Sequence, residues 1–565
     1  MKKIYDFKYL RGDLTGGLVA GVVALPLALA FGVQSGMGAV AGLYGAIAIG
    51  VLAALFGGTA TQASGPTGPM TVVSAAVVAN AIETQGSLEA ALGTILMTFL
   101  LAGVLQILFG FLDIAKYTKF FPYPVISGFM SGVGLIIVLL QIFPLAGVSA
   151  PKTTLAVITE LPRFFTELNP AALGLGLLTV LVYYLFPRLT KAVPSALVAL
   201  ISVSLVAFLF GMDVPYIGDI PSGLPSLQVG EILNFDPGSY LLILEYAVVL
   251  AVLGSIDSLL TSVIADNITK TKHESNRELI GQGIGNIAAA LVGGIPGAGA
   301  TKGTVVNINA GGRTRLSGTI HGLFLLAVLL GIGQLAAYIP LAVLAGILVP
   351  IGFAIIDTRS LSHLRQMPRS DLVVLLTVFA ITTFGSLIQA VGVGVILASV
   401  LFMKRASDLA ERGTSLTNLA GRRGEEPWQD EAEYYPSLKH CVYIKHLYGP
   451  MFFGFTARFQ ELIQELDENI CALIFRMDRV PHMDQSGLYA MEDAVLDLSQ
   501  RGVTVLYTGL QTQPEDMLRT INVIPGLVAE DKLFEDFDDA VQWLEDQEIV
   551  DVPDHLLEPE KTPEV

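Results

Sequence analysis

The feature that most constrains this chain is a series of fourteen apolar segments within its first 405 residues. A helix needs about 20 mostly apolar residues to cross the roughly 30 Å hydrocarbon layer of a bilayer. The segments lie at 14–33, 38–57, 68–82, 92–112, 124–147, 171–187, 193–212, 238–264, 279–294, 301–310, 316–333, 338–356, 371–387 and 389–403. They predict an all-α polytopic membrane domain, in which 68–82 and 301–310 are too short to cross alone.

The distribution of charge divides the chain into two parts. Residues 1–405 contain 21 Lys and Arg and 18 Asp and Glu, whereas residues 406–565 contain 12 and 32. This excludes a single soluble globule, and it excludes a nucleic-acid binder, which would carry a basic surface. The sequence therefore predicts a transmembrane domain at 1–405, a linker at 406–435, a small acidic cytoplasmic domain at 436–548 and a disordered tail at 549–565.

The basic residues of the membrane domain indicate how its spans are oriented. If the N-terminus is cytoplasmic and the spans alternate, 18 of the 21 basic residues fall on the cytoplasmic side. Such a bias is the usual signature of membrane topology, and a wrong span count would scramble it. The pattern predicts an even number of spans with both termini in the cytoplasm. We expect the protein to be an integral protein of the plasma (inner) membrane.

The third and tenth segments are short, and each follows chain that cannot continue a helix. Gly and Pro interrupt residues 64–69 before the third segment and residues 293–301 before the tenth. Two interrupted segments at matching places in two sets of seven indicate an inverted repeat with a binding site between its halves. Their helix N-termini would meet near mid-membrane, where free N–H groups and helix dipoles favour an anion. The alternative is that both are ordinary loops or flexible Gly-rich segments.

Asp257 lies inside the eighth segment, and ionisable residues at membrane depth are costly and usually functional. Thr261 follows one turn later on the same helix face. A carboxylate, a hydroxyl and backbone carbonyls near Gly299 and Thr301 could form an all-oxygen site for a small hard cation. The alternatives are an Asp that caps a broken helix, and a protonated Asp that only makes a hydrogen bond.

Lys302 directly follows Thr301 at the start of the tenth segment. Its ammonium could reach the anion site and supply a positive charge there. It could equally point about 100° away from Thr301, since a helix has 3.6 residues per turn, and pair with a carboxylate. The sequence leaves both interpretations open.

Six motifs of the membrane domain occur together: ALPLALAFGV at 24–33, GPTGPMTVV at 65–73, FPYPVISGFMSG at 121–132, IDSLLTSVIAD at 256–266, ELIGQGIGN at 278–286 and GAGATKGTVVNI at 297–308. In combination they resemble the sulfate permease (SulP) family of anion transporters, and in particular its sodium-dependent bicarbonate transporters. The resemblance implies a seven-plus-seven inverted repeat, divided into core and gate domains, that works by an elevator-like motion. The residues it implies for the anion site are Thr67, Ala300 and Thr301. Those it implies for a sodium site are Asp257, Thr261, Gly299 and Thr301.

The acidic part changes to a mixed periodicity. Strands are predicted at 442–447, 471–477 and 503–509, and amphipathic helices at 455–468, 485–500 and 538–548. This alternation predicts a small α/β domain that resembles the STAS domain, which ends sulfate permeases and commonly contributes to dimers.

A turn at 480–487 of this domain resembles the signature loop of anti-sigma factor antagonists, in which a phosphorylated serine follows an Asp. Here Gln485 follows Asp484, so we interpret the turn as a helix cap by Asp484 or Ser486. The alternative is a regulatory loop in which Ser486 is phosphorylated. The two cysteines, Cys441 and Cys471, are too few for a disulfide framework and favour a reducing compartment.

The expected function is sodium-dependent bicarbonate uptake, with sodium as a coupling ion and no other cofactor. Lys302 departs from the bicarbonate transporters, which have an apolar residue there, so a proton-coupled or uncoupled transporter of sulfate or a dicarboxylate is the alternative. A lesser alternative is a membrane-anchored regulator that acts through the STAS-like domain. No metal cluster, phosphate loop or nucleophile arrangement occurs, and no enzyme activity is expected.

Overall fold

The computed structural model describes two units of the chain, each of which we treat by itself. The contacts divide the molecule into Met1–Ala398 and Ser399–Val565. The described residues are 7–116, 121–151, 153–190, 193–218, 223–412, 416–418, 428, 430–431, 442–452, 459, 463, 466 and 470–549.

The first unit is helical, and a helix occupies each of the fourteen predicted apolar segments. The helices are α1 (Leu10–Gln34), α2 (Ala39–Phe56), α3 (Gly68–Gln85), α4 (Leu88–Phe111), α5 (Tyr123–Leu145), α6 (Thr154–Thr159), α7 (Leu161–Glu167), α8 (Pro170–Leu185), α9 (Ser195–Leu209), α10 (Val229–Leu233), α11 (Tyr240–Thr269), α12 (Ser275–Leu291), α13 (Thr301–Asn309), α14 (Arg315–Ile332), α15 (Leu341–Ile355), α16 (Thr358–Ser362), α17 (Arg369–Phe384) and α18 (Leu387–Arg412). The short helices α6, α7, α10 and α16 were not predicted.

Length and composition make seven of the described helices able to cross a membrane, and others are shorter apolar helices. The unit is therefore a polytopic membrane domain. Its arrangement as fourteen spans in an inverted repeat stays a prediction.

The helices of this unit form two groups. Helices α1–α4 and α11–α14, which we name the site bundle, pack mainly on one another. The second bundle consists of α5, α8, α9, α15 and α17, which also pack mainly on one another. Glycines permit the closest approach in the site bundle: a Cβ on Gly103 of α4 would lie 2.7 Å from the carbonyl oxygen of Gly283 on α12. Small residues serve this purpose at helix crossings in membranes.

A carboxylate outside the spans joins parts of the second bundle. Asp357, between α15 and α16, accepts hydrogen bonds from Tyr123 (2.8 Å), Ser127 (2.6 Å) and Ser360 (2.6 Å). Partial burial raises the pKa of this carboxyl, but the hydrogen bonds from Ser127, Ser360 and Tyr123 together outweigh burial and lower the pKa to about 2. The carboxylate is therefore ionised at neutral pH and ties the start of α5 to α16.

The second unit contains a five-stranded sheet in the order β3 (Leu416–Asn418), β4 (Val442–Tyr448), β5 (Ala472–Arg479), β6 (Thr504–Thr508) and β7 (Leu533–Phe534). Strands β4 to β7 are parallel, and β3 is antiparallel to β4. The α-helices that the structure describes in this unit after β4 are α19 (Gln485–Gln500), α20 (Thr512–Thr520) and α21 (Phe537–Asp546). The three predicted strands and two of the predicted helices are confirmed, and most of 455–468 lies outside the described residues.

A buried ionic cluster around β5, the central strand of this sheet, was not predicted. Arg476 on β5 is 3 % exposed and donates to Glu431 (2.7 Å) and Asp430 (2.9 Å). Its guanidinium also lies 4.3 Å from the Trp428 ring centroid, a cation–π geometry. These partners and β3 fall within 406–435, the segment expected to be a linker, so part of that segment docks on the sheet.

The turn before α19 is a helix cap. The Asp484 carboxylate accepts a hydrogen bond from the Gly487 N–H at 2.8 Å, which confirms the structural interpretation of the turn. Gln485 donates to the Tyr489 hydroxyl instead. Cys471 is disulfide-bonded, contrary to the expectation of reduced cysteines, and Cys441 lies outside the described residues.

Candidate functional site

The structure brings the two interrupted stretches together. Ser64 and Gly65 form β1, which pairs antiparallel with β2, formed by Ala298 and Gly299. Helix α3 begins directly after β1, and α13 begins directly after β2. Because the two strands are antiparallel and only two residues long, the helices start beside each other and run in opposite directions. The juxtaposition of these two stretches, which the sequence pattern predicted, is thus present.

Both helices begin without a side-chain cap. The N-cap residues are Thr67 for α3 and Ala300 for α13, and neither accepts a hydrogen bond from its helix through its side chain. The first N–H groups of a helix have no partner within the helix, and the dipole adds a partial positive charge. Two such openings beside one ladder form a region that favours an anion.

Side chains from α11 and α12 hold the β2 stretch in place. Gly299 donates its N–H to the Ser258 hydroxyl at 3.0 Å, and its carbonyl accepts from the Thr261 hydroxyl at 2.9 Å. Asn286 bonds both backbone groups of Gly297, at 2.8 and 3.0 Å. The stretch therefore lacks the disorder of a flexible loop. Sequence reasoning missed Ser258, because an isolated serine in an apolar segment carries no pattern.

Gln282 and Asn286, two polar side chains of α12, make hydrogen bonds to other parts of the site bundle. Asn286 donates to Gln106 of α4 at 2.7 Å, and Gln282 donates to the Ser64 hydroxyl at 2.7 Å. Both side chains therefore connect α12 to other parts of the site bundle.

Six of the seven predicted site residues line one cavity of ≈ 330 Å³: Thr67, Asp257, Gly299, Ala300, Thr301 and Lys302. Residues of the second bundle, among them Met130 and Ile351, line it as well. Among the described residues, the Asp257 Oδ2 and the Thr67 hydroxyl are enclosed and make no hydrogen bond of good geometry, although the two groups lie near each other. Buried polar atoms usually have partners, so these two point to a missing ligand.

Thr261 is the seventh predicted residue, and it belongs to an oxygen cluster beside the cavity. Its hydroxyl lies 2.7 Å from the Thr301 hydroxyl and 2.9 Å from the Gly299 carbonyl oxygen. Asp257 lies one turn earlier on α11. Carboxylate, hydroxyl and carbonyl oxygens are the ligands that hard cations prefer. The donor set and the unpartnered Asp257 oxygen thus fit a small cation such as sodium.

Lys302 is exposed, and its side chain is one of those that line the cavity. Within the part of the chain that the structure describes, no carboxylate lies within ion-pair distance of its ammonium. Of the two interpretations left open by the sequence, the geometry favours the one in which the positive charge faces the anion region.

Glu278 is a residue of this region that sequence reasoning missed. It is 1 % exposed, and its Oε2 accepts from the Gly58 and Thr59 N–H groups, both at 2.8 Å. Its Oε1 accepts from the amides of Gln62 and Gln282, again at 2.8 Å. The carboxylate therefore connects the chain between α2 and β1 to α12. These hydrogen bonds help to hold β1 in position for pairing with β2.

Replacing Glu278 with Ala is expected to destabilise the membrane unit by about 3–5 kcal/mol, because it leaves buried donors without an acceptor. Thermal unfolding of the detergent-purified full chain measures this as a lower Tm. The matched control is Glu274→Ala at the start of the same helix, where the side chain is 69 % exposed. Equal Tm values for Glu278→Ala and Glu274→Ala would contradict the role given to Glu278.

Comparisons with known proteins agree with this architecture. Residues 10–378 match the sulfate permease family, and residues 437–540 match the STAS domain. The bicarbonate transporter BicA of Picosynechococcus sp. is 41% identical over 531 residues, which cover 92% of each chain.

Two solved structures are similar as well. The transmembrane domain of a cyanobacterium bicarbonate transporter BicA is 44% identical with a TM-score of 0.63, and the match covers 70% of this chain and 98% of that one. The overall structure of SLC26A9 shares the fold, with a TM-score of 0.81 at 18% identity over 96% and 91% of the two chains. The chain is thus a member of the sulfate permease family of anion transporters and carries a C-terminal STAS domain.

Proposed function

We propose that this protein is a secondary active transporter that takes up bicarbonate together with sodium by an elevator-type motion. The observation that carries the proposal is a single cavity lined by Asp257, by the open N-termini of α3 and α13, and by both bundles. The 41% identical relative named a bicarbonate transporter supports bicarbonate as the anion. The proposal includes N- and C-termini in the cytoplasm, a plasma-membrane location and a homodimer through the STAS domain, as the sequence pattern and the resemblance imply.

The charges around the cavity provide the reason for coupling. An ionised Asp257 would repel an anion at the adjacent helix openings, since unit charges a few ångströms apart interact strongly where water is scarce. Sodium at Asp257, Thr261, Gly299 and Thr301 would remove this repulsion and leave the helix dipoles to attract the anion at Thr67, Ala300 and Thr301. Each ion would then raise the affinity for the other by the same factor, as linkage requires.

Two cavities at opposite ends of the second bundle support alternating access. The site cavity is lined by Ile351 and Ile355 near the end of α15, and a second cavity of ≈ 540 Å³ is lined by Leu341 and Leu344 at its beginning. Both cavities also contact α1, so they lie along one boundary between the two bundles. A sliding of the site bundle along this boundary would present the same residues to either side.

The test is uptake of radiolabelled bicarbonate into proteoliposomes at alkaline pH, with an inward sodium gradient or with choline in its place. We expect uptake to depend on sodium and to be small with choline. Sulfate and a dicarboxylate are offered in parallel, because these are the alternative substrates. Bicarbonate uptake that is indifferent to the sodium replacement would reject the coupling.

A second candidate follows from Lys302, whose charge lines the cavity without a described carboxylate partner. A lysine there could attract sulfate or a dicarboxylate without sodium, and Asp257 could then carry a proton. This candidate requires transport of one of these anions with choline outside, and loss of that transport in Lys302→Met. Under the bicarbonate proposal, the same variant keeps its dependence on sodium.

A further inference from the structure

One titratable side chain of the site cavity has no place in the mechanism above. His321 lies on α14, is 3 % exposed, and lines the same cavity as Asp257, Thr301 and Lys302. Within the described residues its ring makes no hydrogen bond to protein. A buried histidine among apolar residues of a membrane domain is costly unless it has a function or a partner that is absent here.

The two ring nitrogens of His321 have different surroundings. Nδ1 is fully enclosed, and a Cβ built on Gly50 of α2 would lie only 3.0 Å from it, so this edge of the ring packs against α2. Nε2 is not enclosed in this way, and the cavity is the space that the ring borders. One edge of the imidazole is therefore dry and the other is open to the site.

This asymmetry selects one form of the ring. A neutral imidazole has one N–H donor and one nitrogen lone pair. A buried N–H without an acceptor is rarer and more costly than an acceptor without a donor. The enclosed Nδ1 of His321 therefore carries the lone pair, and the proton is on Nε2, where it can donate into the cavity.

We propose that His321 binds the transported oxyanion by donating its Nε2–H to one of the anion's oxygens. The inference rests on the proposed function and adds a ligand that the helix openings and Lys302 do not supply. A neutral donor strengthens anion binding without a positive charge that would compete with sodium for Asp257. The contact also favours substrates with an acceptor oxygen on the α14 side of the cavity.

Three substitutions test the contact through geometry. The terminal amide of Gln reaches the position of Nε2 in histidine, that of Asn reaches the position of Nδ1, and Phe offers neither. We expect His321→Gln to keep the KM for bicarbonate within about threefold of the wild type, and His321→Asn and His321→Phe to raise it roughly tenfold, the effect of one lost hydrogen bond to an ion. Measured at saturating bicarbonate, where the weaker anion binding no longer limits occupancy, the KM for sodium is expected to stay the same in all three.

The measurements are initial uptake rates in proteoliposomes and the rise in Tm that bicarbonate or sulfate produces in the purified full chain. The melting curve without anion separates a folding defect from a binding defect. The inference would be overturned by equal KM values for bicarbonate in His321→Gln and His321→Asn. It would also be overturned if bicarbonate or sulfate raised the Tm of His321→Phe as much as that of the wild type. If the wild type transports sulfate rather than bicarbonate, the proposed substrate is wrong, and the same Gln–Asn difference with sulfate decides the role of His321.

Discussion

Replacing Asp257 with Ala is expected to abolish sodium-dependent bicarbonate uptake. Asp257 is the one carboxylate among the described residues that line the site cavity. Removing a charge from a desolvated ion pair costs about 2–5 kcal/mol. At about 1.4 kcal/mol per tenfold, sodium affinity would fall roughly 30-fold or more. Uptake at low sodium would then drop to the level seen with choline.

The comparison needs a second carboxylate on the same helix. Glu245 lies earlier on α11, is exposed, and lines neither cavity. Glu245→Gln should therefore transport as the wild type does, with the same sodium dependence. Initial uptake rates against sodium concentration, normalised to reconstituted protein, measure both variants. An Asp257→Ala protein that keeps the wild-type half-saturation for sodium would show that the coupling ion binds elsewhere.

Replacing Gly297 with Ala is expected to reduce transport at least tenfold, because it separates the two helix openings. A Cβ on Gly297 would collide with the carbonyl carbon and oxygen of Gly65 and lie 2.7 Å from the Pro66 nitrogen. These are backbone atoms, which cannot rotate away as a side chain can. Overpacking of this kind costs about 1–3 kcal/mol where the structure can shift, and here the shift displaces the β1–β2 ladder.

Gly303, the third residue of α13, provides the control. A Cβ on Gly303 would meet Ala63 and Ala300 at 3.5 and 3.6 Å, which is ordinary van der Waals contact. Gly303→Ala should fold normally, and it gains about 0.5–1 kcal/mol of helix propensity. Because Gly303 also lines the site cavity, this variant is expected to lose less transport than Gly297→Ala rather than none. Bicarbonate uptake and Tm are measured for both variants side by side. Full activity of Gly297→Ala would mean that contact between the two stretches is not required.

The apolar helices were the most predictable part of the molecule. Each of the fourteen segments contains a helix. This outcome was predictable because a long apolar run in a bilayer must satisfy its backbone hydrogen bonds within the segment. The interruptions at 64–69 and 293–301 were also visible, since Gly and Pro prevent a continuous helix there. That these two stretches meet was predicted from their matching positions, whereas their pairing as the strands β1 and β2 was not.

The roles of the residues that support the site could not be predicted from the sequence pattern. Glu278 and His321 are single polar residues whose surroundings come from helices far away in the sequence. Glu278 reads as a solvated residue at a helix start, yet its acceptors meet the backbone of Gly58 and Thr59. In the second unit, nothing in 406–435 indicated that Glu431 would bind Arg476.

The local order of apolar, flexible and charged residues by itself determined which segments become helices and that an acidic α/β domain follows. It also determined that two helices begin only after a stretch rich in Gly and Pro. Tertiary structure decided which polar atoms face one another: the ring edge of His321 that stays dry, the carbonyl that Thr261 holds, and the donors gathered by Glu278. The reason is range. Helix formation and membrane insertion depend on neighbours along the chain, whereas a binding cavity depends on side chains brought together from distant segments by close packing of helices.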